Sequence, residues 1–245
     1  MSFSIKLGNF LFRNAYFLYK PMYIAFKERQ DKFEIEILKK NIKQGDTIID
    51  IGANIGFYTK ILSELVGEKG KVHAFEPDRI NYQRLLSYSA GLKNVELNNK
   101  AIGPKTEKLK IYTSKMLNVD HRTYKPEEYE EEIEIDAVNL DEYLSGKGKV
   151  DIIKMDIQGF EMSAIKGMEQ TLKANQNIKL ITEFWPHGLK LTGSSGKEYF
   201  NYLVSFGFSC YLMENDTLLE LNLKKVSELN EMGEKHYYNI FALRK

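Results

Sequence analysis

Residues 46–56 read Asp46-Thr47-Ile48-Ile49-Asp50-Ile51-Gly52-Ala53-Asn54-Ile55-Gly56. The apolar run predicts a short buried strand, and the two glycines predict a tight turn that leads into a helix over 57–66. Such a helix start places backbone N–H groups and the positive end of a helix dipole beside a ligand. Gly52 and Gly56 leave room there for the backbone to approach that ligand closely. The segment therefore predicts the nucleotide-binding corner of an α/β fold.

The spacing of these glycines differs from the ordinary dinucleotide fingerprint, Gly-x-Gly-x-x-Gly. Ala53 and Asn54 follow Gly52, so the middle glycine is missing, and the acidic Asp50 precedes the turn. A carboxylate and an amide suit a ligand with positive charge, such as a sulfonium and an amino group. The spacing therefore favours S-adenosylmethionine over NAD. Asp50 either faces the methionine side of that cofactor or stabilises the turn.

Length, charge and cysteine content fit one large globular domain with its own core. The 245 residues carry 35 basic and 34 acidic side chains, for a net charge of +1. Because general nucleic-acid binders usually show a basic excess, we expect no nucleic-acid partner.

The single Cys210 excludes an intramolecular disulfide, and its apolar neighbours indicate an inert core thiol. With no signal-like segment and no apolar run near about 18 residues, we expect a cytoplasmic protein.

The first 27 residues are rich in aromatic side chains and carry only basic charges before Glu28. A basic, aromatic helix can lie on an anionic membrane surface, or it can pack on the remaining chain or on a second subunit. We expect packing or a homodimer contact, with peripheral membrane contact as the alternative. We therefore divide the chain into a helical N-terminal extension, 1–43, and a domain, 44–245. The aromatic residues concerned are Phe3, Phe10, Phe12, Tyr16, Phe17, Tyr19, Tyr23 and Phe26.

Strands and helices alternate along the domain, which predicts a parallel sheet with right-handed crossovers. Helices are predicted over 28–43, 78–90 and 160–172. An antiparallel pair over 109–113 and 132–138 interrupts the alternation at the position of a substrate lid. We therefore predict an α/β, Rossmann-like, seven-stranded, mostly parallel sheet in the order 3-2-1-4-5-7-6, with helices on both faces. Its strands are predicted at 47–51, 71–76, 95–102, 150–156, 178–184, 208–213 and 237–243.

Polar side chains follow several predicted strand ends, where open α/β sheets bind ligands. Glu76 closes the second strand, and its carboxylate can accept both hydroxyls of a ribose. Asp156 ends the fourth strand and is expected to face the cationic end of the cofactor. Lys154 points to the same side of that strand, either to hold a substrate oxygen or to pair with a carboxylate. Glu161, at a helix start, is either a structural acid or part of the site.

Methyl transfer to a hydroxyl calls for a base, because oxygen attacks best as its proton leaves. His187 and His121 are the candidates, since the other two histidines fall at predicted strands and are expected to be structural. Glu183 and His187 flank Trp185 at the end of the fifth strand, and Trp185 either stacks on a sugar or anchors the core. The four histidines are His73, His121, His187 and His236.

Several other chemistries lack their motifs. The chain has no Gly-x-x-x-x-Gly-Lys-Ser/Thr phosphate loop, no Gly-x-Ser-x-Gly elbow and no His-Glu-x-x-His pair. The Asn-Pro-Pro-Tyr type of motif, typical of amino-directed nucleic-acid methyltransferases, is replaced by Asp156-Ile157-Gln158-Gly159. A divalent ion on Asp156 and Glu183 is conceivable, but we predict no metal site.

Together these residues resemble the FkbM family of S-adenosylmethionine-dependent methyltransferases. The resemblance runs from about residue 46 to the C-terminus and implies a Rossmann-like fold and O-methylation, frequently of sugars or natural products. Many members have Glu where this chain has Gln158. The motifs that carry the resemblance are Ile49–Thr59, Ala74–Pro77, Ala101–Gly103, Ile153–Glu161 and Thr182–Pro186.

The resemblance and the strand-end pattern together imply three sets of site residues. The cofactor set is Asp50, Gly52, Asn54, Gly56, Phe57, Tyr58, Glu76, Pro77, Ala101 and Asp156. The catalytic set is His187, His121, Lys154 and Glu183. The substrate set is Asp120, Arg122 and Trp185.

We therefore expect an S-adenosylmethionine-dependent O-methyltransferase that acts on a sugar hydroxyl, in a surface glycan or a nucleotide-linked sugar precursor. One alternative acceptor is a lipid, a peptide or another small metabolite. A nucleotide-sugar dehydrogenase-like enzyme that uses NAD is an alternative that the missing middle glycine disfavours. A non-catalytic, cofactor-binding scaffold is a third alternative.

Overall fold

The structure, a computed structural model, describes residues 3–113, 123, 129–234 and 236–244, with side chains from residue 7 onward. The helices in these ranges are α1 (Phe3–Asn14), α2 (Tyr16–Gln30), α3 (Lys32–Asn41), α4 (Phe57–Val66), α5 (Arg79–Tyr88), α6 (Leu140–Tyr143), α7 (Glu161–Lys166), α8 (Glu169–Ala174), α9 (Pro186–Leu191), α10 (Gly196–Ser205) and α11 (Leu223–Asn230). The strands are β1 (Thr47–Ile51), β2 (Lys71–Phe75), β3 (Val95–Asn98), β4 (Ala101–Ile102), β5 (Glu107–Tyr112), β6 (Glu132–Val138), β7 (Ile152–Met155), β8 (Lys179–Phe184), β9 (Phe208–Glu214), β10 (Thr217–Glu220) and β11 (Tyr238–Arg244).

The main sheet has the order β10-β9-β11-β8-β7-β1-β2-β3. The five strands from β8 to β3 are parallel to one another, whereas β11 runs antiparallel to both β8 and β9. β1 and β7 are almost wholly buried, as expected for central strands of a parallel sheet covered on both faces. The predicted α/β fold is confirmed, and the seven predicted strands lie in the predicted order. β10 adds an eighth strand at the edge.

The prediction missed β10 because all four of its residues are exposed and show no alternation of apolar and polar side chains. The turn that joins it to β9 contains Asn215 and Asp216, with φ angles of 51° and 57°. Two successive residues with positive φ are typical of the tight hairpin turn that matches the twist of an antiparallel pair. The Asn-Asp dipeptide was therefore the available sequence signal for this hairpin.

The inserted antiparallel pair is confirmed, and it belongs to a second, three-stranded sheet in the order β4-β6-β5. The third predicted strand, 95–102, was wrong in extent, because the chain leaves the main sheet after Asn98. The side chain of Asn99 there donates hydrogen bonds to the carbonyls of Glu76 and Pro77, and Ala101–Ile102 pairs with β6 instead. The lid loop residues Asp120, His121 and Arg122 lie outside the described residues.

Two predicted helices are interrupted. The predicted helix over 160–172 divides into α7 and α8 at Gly167, where an added Cβ would lie 2.0 Å from the carbonyl oxygen of Gly103. The segment predicted as one helix over 28–43 divides at Asp31 into the end of α2 and α3. The predicted cap of α5 is present, since Asp78 accepts a hydrogen bond from the backbone N–H of Asn81.

Apolar side chains form a core on each face of the main sheet. On one face Ile48 packs with α3 and α4, and on the other Ile49 packs with α7, α8 and α10. Cys210 lies in the second of these cores, where burial raises the pKa of its thiol to about 12, as expected for an inert core residue. In the described part of the chain, no helix combines the length and the apolar character that crossing a membrane requires.

Candidate active site

A cleft opens at the carboxyl ends of β1, β2 and β7. β1 and β7 lie side by side, and the crossovers from them leave in opposite directions along the sheet, which is where open α/β sheets bind ligands. The cleft holds about 640 Å³ that protein atoms leave unfilled, part of it open to solvent. Its polar walls come from the loops after these strands, and Ile102, Ile111 and Ile135 of the second sheet supply an apolar wall. The inserted sheet therefore encloses one side of the cleft.

The glycine turn after β1 packs directly on the loop after β7. Gly52 has a φ of +83°, and a Cβ there would lie 2.0 Å from the backbone carbonyl oxygen of Asp156. The backbone N–H groups of Gly52 and Ala53 both donate to the carbonyl of Phe75, at 3.0 and 2.9 Å. Only glycine fits this position, because any side chain would push the two ligand-facing loops apart.

The start of α4 is built from residues in left-handed conformations. Asn54 has a φ of 51°, and its side-chain Oδ1 accepts the N–H of Ile55 at 2.7 Å. Gly56, with a φ of +96°, is the N-cap of α4 and supplies no side-chain acceptor to the first turn. A Cβ at Gly56 would also lie 2.8 Å from a methyl group of Leu85. Gly56 therefore supports the turn by close packing and does not line the cleft.

Glu76 is a buried carboxylate that ties the glycine turn to the loop after β2. Its Oε2 accepts the backbone N–H of Asn54 at 2.8 Å, and its Oε1 accepts the backbone N–H of Asp78 at 2.9 Å. Each oxygen keeps a second lone pair, so the group can also accept two ligand hydroxyls from the cleft that it lines. Burial raises the pKa of Glu76 to about 8, although the two backbone hydrogen bonds lower it.

This raised pKa predicts a pH-dependent stability of the ligand-free protein. The pKa of Glu76 rises from 4.5 to about 8, so the folded chain binds this proton more tightly than the unfolded chain does. The stabilisation is complete below the ordinary pKa and is lost as the pH rises towards 8. Between pH 5 and 8 we expect the free energy of unfolding of the native protein to fall by a few kcal/mol relative to that of Glu76→Gln. The fall should be at most about 1.4 kcal/mol for each pH unit. Urea unfolding at several pH values measures this difference, and parallel curves for the two proteins would contradict it.

The loop after β7 presents Asp156 and Gln158 to the cleft. Both are half-buried, and the amide of Gln158 donates to Oδ1 of Asp156 at 3.2 Å. Gln158 and Gly159 both have positive φ, of 55° and 95°, and a Cβ at Gly159 would lie 2.5 Å from the backbone of Gly188. The loop after β7 therefore packs closely on helix α9, which follows β8.

Glu161 lies beneath this loop at the start of α7. It is fully buried, and its Oε1 accepts the backbone N–H of Ile157 at 3.1 Å. Burial raises the pKa of Glu161 to about 7. The carboxylate supports the shape of the loop and does not line the cleft.

Lys154 lies at the centre of a cluster of buried charges behind the cleft. Its Nζ is 3.6 Å from Oε1 of Glu34 in α3, and 3.9 Å from the centre of the Tyr58 ring. Burial lowers the pKa of Lys154, but the carboxylates of Glu34, Asp156 and Asp50 raise it more, so the pKa lies above its ordinary value. Of the two roles predicted for Lys154, pairing with a carboxylate is the one that this geometry displays.

The N-terminal extension adds two more charged residues, Lys27 and Asp31, to this cluster. The hydroxyl of Tyr58 donates to Oδ2 of Asp31 at 2.8 Å, and Lys27 forms an ion pair with the same carboxylate. Packing of the extension on the remaining chain was one of the expected arrangements, whereas these individual contacts were not predicted from the sequence. One available signal was Glu34, a charged residue on the apolar face of α3 beside the buried Ile35.

Asp50 lies on β1 directly beside Lys154 and is buried. Its Oδ2 accepts a hydrogen bond from the hydroxyl of Thr59 in α4 at 2.6 Å. Burial raises the pKa of Asp50, although Lys154 and Thr59 lower it. The carboxylate therefore joins the strand to the helix that follows the glycine turn, and it does not line the cleft.

The three predicted site residues at the end of β8 and just after it do not line the cleft. Glu183 is buried in β8, and Trp185 is buried with its indole N–H donating to the carbonyl of Glu234 at 2.7 Å. His187 is half-buried in α9, with its ring centre 5.8 Å from that of Trp185. In this arrangement Trp185 has the contacts of a core anchor.

The other two described histidines, His73 and His236, do not line the cleft. His73 is buried in β2, where Nδ1 lies 2.8 Å from the hydroxyl of Tyr143, and burial lowers the pKa of His73 to about 4. His236 is exposed just before β11. Among the residues that the structure describes, no group of three or more His, Cys, Asp or Glu could hold a metal ion.

Six of the ten residues predicted to bind the cofactor line the cleft. Phe57 and Tyr58, like Asp50 and Gly56, lie behind its wall. Asn81, Lys100 and Gln158 also line the cleft and were not predicted to do so; Gln158 follows closely on a predicted strand end, whereas Asn81 falls inside a predicted helix and Lys100 inside a predicted strand. The six residues are Gly52, Asn54, Glu76, Pro77, Ala101 and Asp156.

The cleft fits a nucleoside with a positively charged tail. Glu76 can accept two vicinal hydroxyls, and Asp156 supplies negative charge at the other side of the glycine turn. Gly52 leaves the backbone between them without a side chain. These are the groups that S-adenosylmethionine would need for its ribose and for its cationic sulfonium and amino groups.

Comparisons with solved structures show the same fold. A Clostridium thermocellum protein described as an rRNA-methylase aligns with a TM-score of 0.50 and 13% identity, over 86% of this chain and 95% of that one. A Streptococcus mutans protein described as a methyltransferase, solved with S-adenosylhomocysteine, aligns with a TM-score of 0.51 and 11% identity, over 87% and 97%. A comparison with curated protein sequences finds no significant match.

A family model supplies the identification that fold alone does not. The model described as the methyltransferase FkbM domain matches residues 50–210, which is more than half of the chain and contains the glycine turn, Glu76 and the loop after β7. The chain therefore belongs to the FkbM methyltransferase family and is an S-adenosylmethionine-dependent methyltransferase.

Proposed function

We propose that the enzyme methylates a sugar hydroxyl, in a surface glycan or in a nucleotide-linked sugar precursor. The observation that carries this proposal is the pair formed by Asp156 and Gln158 at the edge of the cleft. A carboxylate beside an amide offers several acceptors and donors, which suits neighbouring hydroxyls better than it suits an apolar acceptor. The expected cytoplasmic location remains part of the proposal.

In this proposal some residues of the cleft bind the cofactor, and others orient the acceptor. S-adenosylmethionine supplies an electrophilic methyl group on a sulfonium. Glu76 and the backbone at Gly52 hold the nucleoside, and Ile111 and Ile135 keep water from one side of the cleft. Asp156 faces the cationic end of the cofactor, and Gln158, which donates a hydrogen bond to Asp156, holds the acceptor hydroxyl towards the methyl group. Holding the reacting atoms in line accounts for much of the rate enhancement.

Methyl transfer from radiolabelled S-adenosylmethionine to a panel of acceptors tests the proposal. The panel contains nucleoside-diphosphate sugars, oligosaccharides, lipids, peptides and phenols. We expect label on a sugar, with a KM for that sugar about tenfold higher in Gln158→Ala, as loss of one hydrogen bond to an acceptor predicts. The affinity of this variant for S-adenosylhomocysteine should change less than about threefold.

The control is Gln176→Ala, which alters an exposed glutamine away from the cleft and should leave both constants unchanged. Label only on a lipid, peptide or phenol would contradict the sugar assignment and leave the methyltransferase assignment intact. An equal effect of Gln158→Ala on acceptor and cofactor binding would contradict the role given to this amide.

A further inference from the structure

Helix α2 presents apolar side chains to solvent between residues 17 and 26. Phe17, Met22 and Phe26 are 75%, 58% and 60% exposed. The exposed residues recur every four positions, at 17 and 18, 21 and 22, and 25 and 26, so together they form one broad side of the helix. We call this side the outer face of α2, and it consists of Phe17, Leu18, Pro21, Met22, Ala25 and Phe26.

The opposite side of α2 is also apolar and holds the helix on the domain. Tyr19 stacks on Tyr23 with ring centres 5.5 Å apart, and Tyr23 meets the edge of Phe57, the first residue of α4. Both the side that packs on the domain and the outer face therefore carry large apolar side chains. Nevertheless, no residue of α2 is buried in this structure. A surface of this kind normally marks contact with a partner or a membrane.

The charges of this region favour a membrane over a second copy of the chain. From residue 7 to the end of α2 the charged side chains are Arg13, Lys20, Lys27, Glu28 and Arg29, so the bases outnumber the single acid four to one. Arg13 pairs with Glu130, Lys20 lies over the ring of Tyr88 and Lys27 pairs with Asp31, so these three bases flank the outer face, whereas Arg29 is exposed at the end of the helix. A symmetric dimer through this face would bring the same basic residues of two copies together. An anionic lipid surface complements them.

We propose that the outer face of α2 lies in the interface of an anionic membrane, with its aromatic side chains at the boundary between headgroups and acyl chains. Helix α1 extends the contact, since Leu7 and Phe10 are 41% and 60% exposed. Because Tyr23 contacts Phe57 next to the glycine turn, the bound enzyme would hold its active site close to the lipid surface. This inference does not depend on the identity of the methyl acceptor.

Sedimentation with lipid vesicles tests the proposal on the full chain. We expect the protein to sediment with vesicles of equal parts phosphatidylglycerol and phosphatidylcholine, and much less with phosphatidylcholine alone. Phe17→Ser/Phe26→Ser should lower the partition coefficient at least about tenfold, because it removes two large apolar groups from the interface. Ile80→Ser, on α5 at 58% exposure, is the matched control and should bind like the native protein.

Two further readouts make the outcome decisive. Titration with S-adenosylhomocysteine should give the native affinity for both variants, which shows that they fold. Light scattering reports the oligomeric state in the absence of lipid. Failure to bind vesicles would overturn the proposal, as would a dimer that the double variant converts to a monomer without vesicle binding. Equal vesicle binding by the double variant and the native protein would also overturn it.

Discussion

Replacing Gly52 by alanine is expected to lower the affinity for S-adenosylhomocysteine by on the order of 100-fold, because a displacement of about 1 Å in a site can cost that much. The added Cβ would lie 2.0 Å from the carbonyl oxygen of Asp156, so the turn after β1 and the loop after β7 must separate. Both loops line the cleft, and their separation moves the backbone near Asn54 away from Glu76. Calorimetric titration of the variant measures the loss.

Gly207→Ala is the matched control for this substitution. Gly207 has the same φ of +83°, but no atom lies within 4 Å of the position that its Cβ would take, so the change adds backbone strain without a clash. We expect it to cost about 1–2 kcal/mol of stability and to leave cofactor affinity unchanged. Similar affinity losses in the two variants, or none in Gly52→Ala, would show that close packing of the two loops does not shape the site.

The second large effect is expected on stability. Replacing Lys154 by methionine should lower the free energy of unfolding by about 3–5 kcal/mol, since it leaves buried carboxylates without their cation. Glu34 lies 3.6 Å from the Lys154 ammonium, and Asp50 and Asp156 also face it. Urea unfolding at neutral pH measures the change.

Two further variants show whether the loss of stability in Lys154→Met comes from buried charge. Lys154→Met/Glu34→Gln should recover part of the lost stability, because it neutralises the nearest carboxylate. Lys173→Met removes the same side chain from an exposed i,i+4 pair with Glu169, and should cost less than about 1 kcal/mol. A loss below about 1 kcal/mol for Lys154→Met would contradict the account of this cluster.

The sequence predicted the parts of the site that depend on neighbouring residues. The glycine turn at Gly52 and the carboxylate of Glu76 each follow directly on an apolar strand, so their place at the carboxyl edge of the sheet follows from the strand itself. The strand order also followed, because alternating strands and helices allow few connections.

Contacts between distant segments were not predictable in the same way. Helical periodicity places Glu34 on the apolar face of α3, but only the packed structure pairs it with Lys154. The end of β3 depends on the side chain of Asn99, which donates a hydrogen bond to the carbonyl of Glu76 in the loop after the neighbouring β2. His187 was predicted from its residue type and strand-end position, and the packing of α9 leaves it outside the lining of the cleft.

The central claim is that this cleft binds S-adenosylmethionine and holds its ribose on Glu76. Calorimetric titration with S-adenosylhomocysteine, with a parallel titration of NAD and a repeat on Glu76→Ala, tests it most directly. We expect micromolar binding of S-adenosylhomocysteine, no binding of NAD, and loss of binding in the variant. Binding of NAD alone, or unchanged binding of S-adenosylhomocysteine by Glu76→Ala, would contradict the claim.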